Sequence, residues 1–177
     1  MKARNGLALA LALALTAGMA QAASQEVTIN KVGLDGKQES IGTVVISETD
    51  HGLLFTPNLK SLPAGLHGFH VHENPSCATA DKDGKPTPAA AAGSHYDPAR
   101  TGEHLGPYGE GHLGDLPGLY VNAQGVADYP VLAPRIKTLA EIEGRALMVH
   151  AGGDNNSDQP EKLGGGGARV ACGLISE

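Results

Sequence analysis

The sequence predicts an all-β domain, an antiparallel sandwich or barrel, and three observations predict it. Twenty-five glycines and eleven prolines among 177 residues argue against a helix bundle, because glycine costs backbone entropy in a helix and proline removes a donor and collides with the preceding turn. Short β-branched and apolar runs recur along the chain. Turn residues divide those runs at close intervals, the spacing of hairpins rather than of crossover helices.

Residues 26–30 alternate polar and apolar, and Leu34-Asp35-Gly36 follows as a turn. Residues 41–48 are rich in Val and Ile, Asp50-His51-Gly52 reverses the chain, and residues 53–56 return. Residues 66–73 make a fourth strand, and residues 120–131 read as a hairpin around Gln124-Gly125. Residues 145–150 and 169–175 complete about eight strands. Two stretches break the rhythm, residues 74–116 and residues 151–168, both rich in turn formers. Loops of this length inside a compact domain are usually functional, and something other than an apolar core must hold them.

The N-terminus reads as an address. Lys2 and Arg4 precede an apolar run over residues 7–19, and Ala20-Gln21-Ala22 offers small residues at the −3 and −1 positions of a cleavage site. Residues 1–22 are therefore expected to be a secretory signal peptide, too short in its apolar part to span a bilayer, leaving one domain over residues 23–177. Removal of Lys2 and Arg4 takes the net charge from −6 to −8. So acidic a chain, with six aromatics and no Trp, lacks the basic surface and stacking material of a nucleic-acid binder. No later segment is apolar enough for membrane insertion. For an exported chain, the even count of cysteines, Cys77 and Cys172, suggests one disulfide. Two separate buried thiols are the other reading.

Eight histidines against two cysteines point to metal. In His70-Val71-His72 the two imidazoles stand at i and i+2 of a strand and so share a face. The first long loop then offers His95, His104, His112 and Asp115. Three imidazoles and a carboxylate are a ligand set that tetrahedral zinc accepts, and metal binding would hold the loop in place of apolar burial. His150 ends an apolar strand and could join His70 and His72 in an all-imidazole site, which suits copper.

Five blocks carry a family resemblance: residues 68–73, 93–98 and 111–116, Val149-His150, and residues 167–173. In order and spacing they resemble the copper,zinc superoxide dismutases over nearly the whole chain after the leader. The Gly-Gly-Asp-Asn after His150 and the glycine run at 164–167 look like the exported bacterial branch. The resemblance implies an eight-stranded Greek-key β-barrel of immunoglobulin-like sandwich type with two long functional loops. It implies one copper per subunit on His70, His72, His95 and His150, and one zinc on His95, His104, His112 and Asp115, with His95 bridging the two. It further implies that Asp154 links a copper histidine to a zinc histidine, that Arg169 stands beside the open copper position, and that Cys77 and Cys172 are bonded. The implied activity is dismutation of superoxide to oxygen and hydrogen peroxide in the periplasm, protecting the cell envelope, with His95 and Arg169 as the catalytic residues. Monomer and homodimer are both open.

The rivals are a metal carrier, which needs neither Arg169 nor an open position, and a zinc hydrolase, for which the sequence offers no clear base. Lys82, Lys85 and Lys162 are candidates to extend a positive field against the acidic whole, although each also reads as an ordinary surface lysine. Glu103 stands where bacterial relatives often carry a lysine. His67, of opposite parity to His70 and His72, reads as structural. His51 reads as an exposed turn residue, and Asp81-Lys82-Asp83-Gly84 as a turn rather than a calcium loop.

Overall fold

The computed structural model describes residues 23–36 and 38–176; the expected signal peptide lies outside them. The strands are β1 (Ser24–Lys31), β2 (Ser40–Thr49), β3 (Gly52–Leu59), β4 (Gly65–His67), β5 (Phe69–His72), β6 (Ala80–Lys82), β7 (Lys85–Thr87), β8 (Leu119–Val121), β9 (Val131–Ala133), β10 (Arg145–His150) and β11 (Arg169–Ile175). Seven of them form one antiparallel sheet in the order β5-β10-β11-β1-β2-β3-β9, while β4 pairs with β8 and β6 with β7. β4 and β5 are a single extended path interrupted at Gly68, so the sheet's first strand leads straight into the β4–β8 pair. Ala127, just past β8, exchanges both main-chain bonds with Leu59 of β3 at 3.0 Å. The sheet thus curls back on itself into a barrel, and with β4 and β5 counted as one and the β6–β7 hairpin set apart inside the first long loop, eight strands wall it.

The alternation that predicted the strands also sorts their faces. In β1, Val27 and Ile29 are buried while Glu26 and Thr28 are exposed. Val44, Ile46, Phe55, Phe69, Val71, Leu147 and Val149 meet inside, with Phe55 and Phe69 packed edge to face at 5.8 Å. Each such side chain contributes roughly 1.5–3 kcal/mol by leaving water.

Two expectations change. The turn at Gln124-Gly125 is present, with Gly125 N–H donating to Asn122 O at 2.9 Å. Beyond the bond from Asn122 N–H to Val126 O at 2.9 Å, its limbs do not pair as strands, however: β8 bonds β4 and β9 bonds β3. The first long loop also has an apolar foothold, because Ala89 and Ala92 pack with Ala146, Met148 and Cys172 on the barrel's outer face. Built largely of alanine, this cluster buries far less than the main core. The Cys77–Cys172 disulfide, with Cα atoms 5.8 Å apart, carries much of the anchoring. Closing a loop of 95 residues is worth about 4–5 kcal/mol in the chain-entropy model.

Candidate metal centre

All four residues of β5 are buried, which a strand with one wet face would not show. Phe69 and Val71 enter the core; His70 and His72 point outward beneath the loops. The free edge of β5 is covered by the first long loop on two levels. Tyr96 N–H donates to Val71 O at 2.8 Å and Val71 N–H to Gly114 O at 2.9 Å. These bonds set His95 opposite His72 and Asp115 opposite His70. Across the other edge, β10 pairs with β5 and ends at His150. Gly68, at the break before β5, donates to Gly152 O and accepts from His150 N–H, both at 2.8 Å. A Cβ there would stand 3.0 Å from the His70 ring and 3.3 Å from His150 Cβ, so the chains approach here with little room for a side chain.

The folded chain gathers two groups of four ligand atoms, each within 4.8 Å of one another: His70, His72, His95 and His150, then His95, His104, His112 and Asp115. His95 alone belongs to both groups, its ring stacked on His70 with centroids 3.9 Å apart.

The partner of one ring nitrogen fixes what the other can do. His70 donates from Nε2 to Asp154 Oδ2 at 2.7 Å, His72 from Nδ1 to Gly93 O at 3.0 Å, and His150 from Nδ1 to Gly167 O at 3.2 Å. Their lone pairs are therefore on His70 Nδ1, His72 Nε2 and His150 Nε2. The last two face each other at 3.3 Å, an arrangement that suits a cation between them. His104 donates from Nε2 to Asp154 Oδ1 at 2.8 Å, so Asp154 joins one histidine of each group. His70 Nδ1, His95 Nε2, His104 Nδ1, His112 Nδ1 and Asp115 Oδ2 are all buried without a hydrogen-bond partner. His104 Nδ1 and Asp115 Oδ2 lie 3.0 Å apart yet do not meet with hydrogen-bond geometry. Buried polar atoms are rarely left orphaned, and five of them aimed at two points fit two bound cations.

Electrostatics separates the imidazoles. Burial pulls His95 down to about 3 and His150 down to about 2, with neighbouring imidazoles adding to both. Burial likewise lowers His70 and, further, His72. These rings stay neutral, the form that binds metal. Burial opposes charge on His104 too, but the Asp115 and Asp154 carboxylates beside its two ring nitrogens outweigh it and push the ring up to about 9. Against their own burial, bonds from His104 and its neighbours hold Asp115 and Asp154 well below the usual carboxylate range.

A cavity of about 280 Å³ opens onto the first group, lined by His72, His95, His150, Arg169, Lys82 and Leu163 among others. Arg169 is held by its two terminal nitrogens, which donate to Ala89 O and Gly93 O. Of the three candidate lysines only Lys82 lines the cavity, beside Asp81; Lys85 and Lys162 do not. A larger groove, about 780 Å³, runs over β1 and β11 beside the disulfide and contains none of the histidines. His67 is buried and bridges Pro63 O and His150 O through its ring nitrogens, the structural part its parity suggests. His51 is exposed, and Asp83-Gly84 is the turn of the β6–β7 hairpin, with Asp81 and Lys82 in β6.

Two residues that the sequence did not single out support the site. Arg135 donates to His112 O at 3.0 Å and Gly111 O at 2.8 Å. Asp158 accepts from His104 N–H at 2.9 Å and Leu163 N–H at 3.0 Å. Both act on main-chain groups, those of His104 and His112 among them far off in sequence, so no motif announces them.

A curled antiparallel barrel with two clusters of buried, lone-pair-bearing imidazoles on one outer face defines a β-barrel metalloprotein. Comparison with known proteins narrows the class. The family model for copper/zinc superoxide dismutase matches residues 16–175. The chain is 59% identical over 169 residues to superoxide dismutase [Cu-Zn] 2 of Salmonella typhimurium, covering 96% of this chain and 98% of that one. The Cu/Zn superoxide dismutase from Brucella abortus superposes with a TM-score of 0.86 at 58% identity, covering 87% of this chain and all of that one. The monomeric copper, zinc superoxide dismutase from Salmonella enterica gives 0.78 at 60% identity over the same shares. The chain belongs to the copper/zinc superoxide dismutase family.

Proposed function

We propose that the protein dismutes superoxide to oxygen and hydrogen peroxide with one copper and one zinc per subunit. The observation that carries this reading is His95, the one side chain common to both ligand groups. Copper would be held by His70 Nδ1, His72 Nε2, His150 Nε2 and His95 Nε2. Zinc would be held by His104 Nδ1, His112 Nδ1, the Asp115 carboxylate and His95 Nδ1, the nitrogen that lies 2.9 Å from Asp115 Oδ1. When bound, copper would supply a reversible one-electron exchange, which zinc cannot, and zinc would add a second hold on His95.

The chain's own residues do the rest. Arg169, clamped by two carbonyls, presents its guanidinium to the cavity and draws the anion in by charge and hydrogen bonding. Its field reaches the imidazoles, since Arg169 lowers both His72 and His150. That local field answers the chain's acidic balance, which by itself would repel superoxide. His95 Nε2 is the atom that would carry one of the two protons hydrogen peroxide requires, taking it from solvent whenever that nitrogen is not engaged by copper. His95 would give that proton up to the peroxide product, with water supplying the other. Asp154 holds His70 and His104 at fixed angles from behind. From the loop over residues 151–168, Leu163 and Gly167 form part of the cavity wall.

Residues 1–22 are read as a signal peptide directing the protein to the periplasm, where the disulfide is stable and the cell envelope meets external superoxide. The monomer, the state named for the Salmonella enterica relative, is the assembly to test by sedimentation. The function is tested by measuring superoxide decay and metal content on one purified, copper- and zinc-replete sample. Catalysed decay that tracks copper content is expected; inert protein with both metals bound would overturn the reading.

A further inference from the structure

We infer that Asp158 is a positioning residue that couples the zinc-side ligand His104 to the rim of the substrate cavity at Leu163, an inference that rests on the metal assignment above. One carboxylate serves both ends. Its Oδ2 accepts from His104 N–H at 2.9 Å and its Oδ1 from Leu163 N–H at 3.0 Å. His104 belongs to the first long loop and Leu163 to the second, and Leu163 lines the cavity with His150 and Arg169.

The surrounding chain leaves this link little slack. The second loop winds back on itself through Asn155 N–H to Gly164 O at 3.1 Å and Gly164 N–H to Ser157 O at 3.0 Å. Gly164 presses on the centre: a Cβ there would stand 2.0 Å from Asp154 Oδ1 and 2.8 Å from His104 Nε2. Leu163 itself takes a positive φ of 55°, a conformation a leucine keeps only when its surroundings impose it. A shift of His104 toward or away from a zinc ion therefore pulls on Asp158, and through it on the Leu163 main chain. Arg135 fastens His112 to the barrel edge in a similar way but does not reach the cavity. Asp154 also crosses between the loops, but it holds the His104 ring; Asp158 joins the main chain of His104 to that of Leu163.

The test compares wild type, Asp158→Ala and Asp158→Asn. The last is isosteric, keeps one oxygen acceptor and sets an NH₂ against the other N–H. Zinc affinity is read by competition with a chromophoric chelator, and hydrogen exchange of the Leu163 amide by NMR with and without zinc. In wild type, zinc loading slows exchange at Leu163. In Asp158→Ala the zinc affinity falls about ten- to hundredfold, the range typical of groups that orient metal ligands, and zinc no longer protects the amide. Asp158→Asn lies between. Unchanged affinity and full zinc-dependent protection in Asp158→Ala, or in Asp158→Asn should the alanine variant not fold, would overturn the coupling. Failure of wild type to bind zinc would instead overturn the metal assignment.

Discussion

His72 and Arg169 donate to one acceptor, the carbonyl of Gly93. A ring assigned to copper and the cation assigned to superoxide are thereby referenced to the same atom of the first long loop. The disulfide ties that loop to β11, the strand that carries Arg169, so Arg169 and the loop whose carbonyls hold it share one anchor. This geometry separates the tasks of the residues, and variants can be read accordingly.

Arg169→Ala removes the docking charge and leaves the ligand atoms in place. A hydrogen bond to a charged group is worth about 1.5–3 kcal/mol, so kcat/KM is expected to fall roughly ten- to hundredfold and its dependence on ionic strength to flatten. Copper and zinc contents stay at wild-type levels. Unaltered kinetics would remove Arg169 from substrate binding.

His70→Ala deletes one lone pair of the first group and none of the second. Dismutation and copper retention are expected to be lost while zinc remains, as read by metal analysis and superoxide decay on one preparation. Full activity in this variant would refute the copper assignment.

Gly164→Ala tests the close approach behind the site. The position has a φ of +70° and its added carbon would overlap Asp154. Conformational strain of order 1–3 kcal/mol, with displacement of the carboxylate that orients His70 and His104, should lower the melting temperature and weaken zinc binding at least tenfold. Calorimetry and chelator competition check both.

Metal-free protein should be most stable near neutral pH. His70, His72, His95 and His150 have folded-state values depressed by burial. Below about 6.5, the ordinary histidine value, the unfolded chain takes up protons that the folded chain refuses, so their contribution is lost as pH falls. His104 is raised to about 9; its contribution is complete below about 6.5 and is lost as pH rises through about 9. The acid side is the steeper because several rings act there. At about 1.4 kcal/mol per pH unit for each fully engaged ring, and about 2–4 °C per kcal/mol, the fall is roughly 3–6 °C per unit per ring. Thermal scans of chelated protein from pH 4 to 10 give the profile; a flat curve would contradict it.

Much of this was legible beforehand, for identifiable reasons. The bounds of β10 and β11 follow from apolar runs that the fold buries, and the histidines stand out because few roles other than metal binding need so many. The turn at Gln124-Gly125 was legible, but its partners were not, since turn chemistry reverses a chain without saying which strand lies alongside. The break at Gly68 follows from a close approach of residues about eighty positions on, which local pattern does not encode. Arg135 and Asp158 escaped notice because they bond main-chain groups, and every residue has those.

The most direct test of the paired centre is anomalous diffraction from crystals of the copper- and zinc-loaded protein, recorded at both absorption edges. The account predicts a copper peak among His70, His72, His150 and His95 Nε2, and a separate zinc peak among His104, His112, Asp115 and His95 Nδ1. A single ion, or two ions that do not flank the His95 ring, would contradict it.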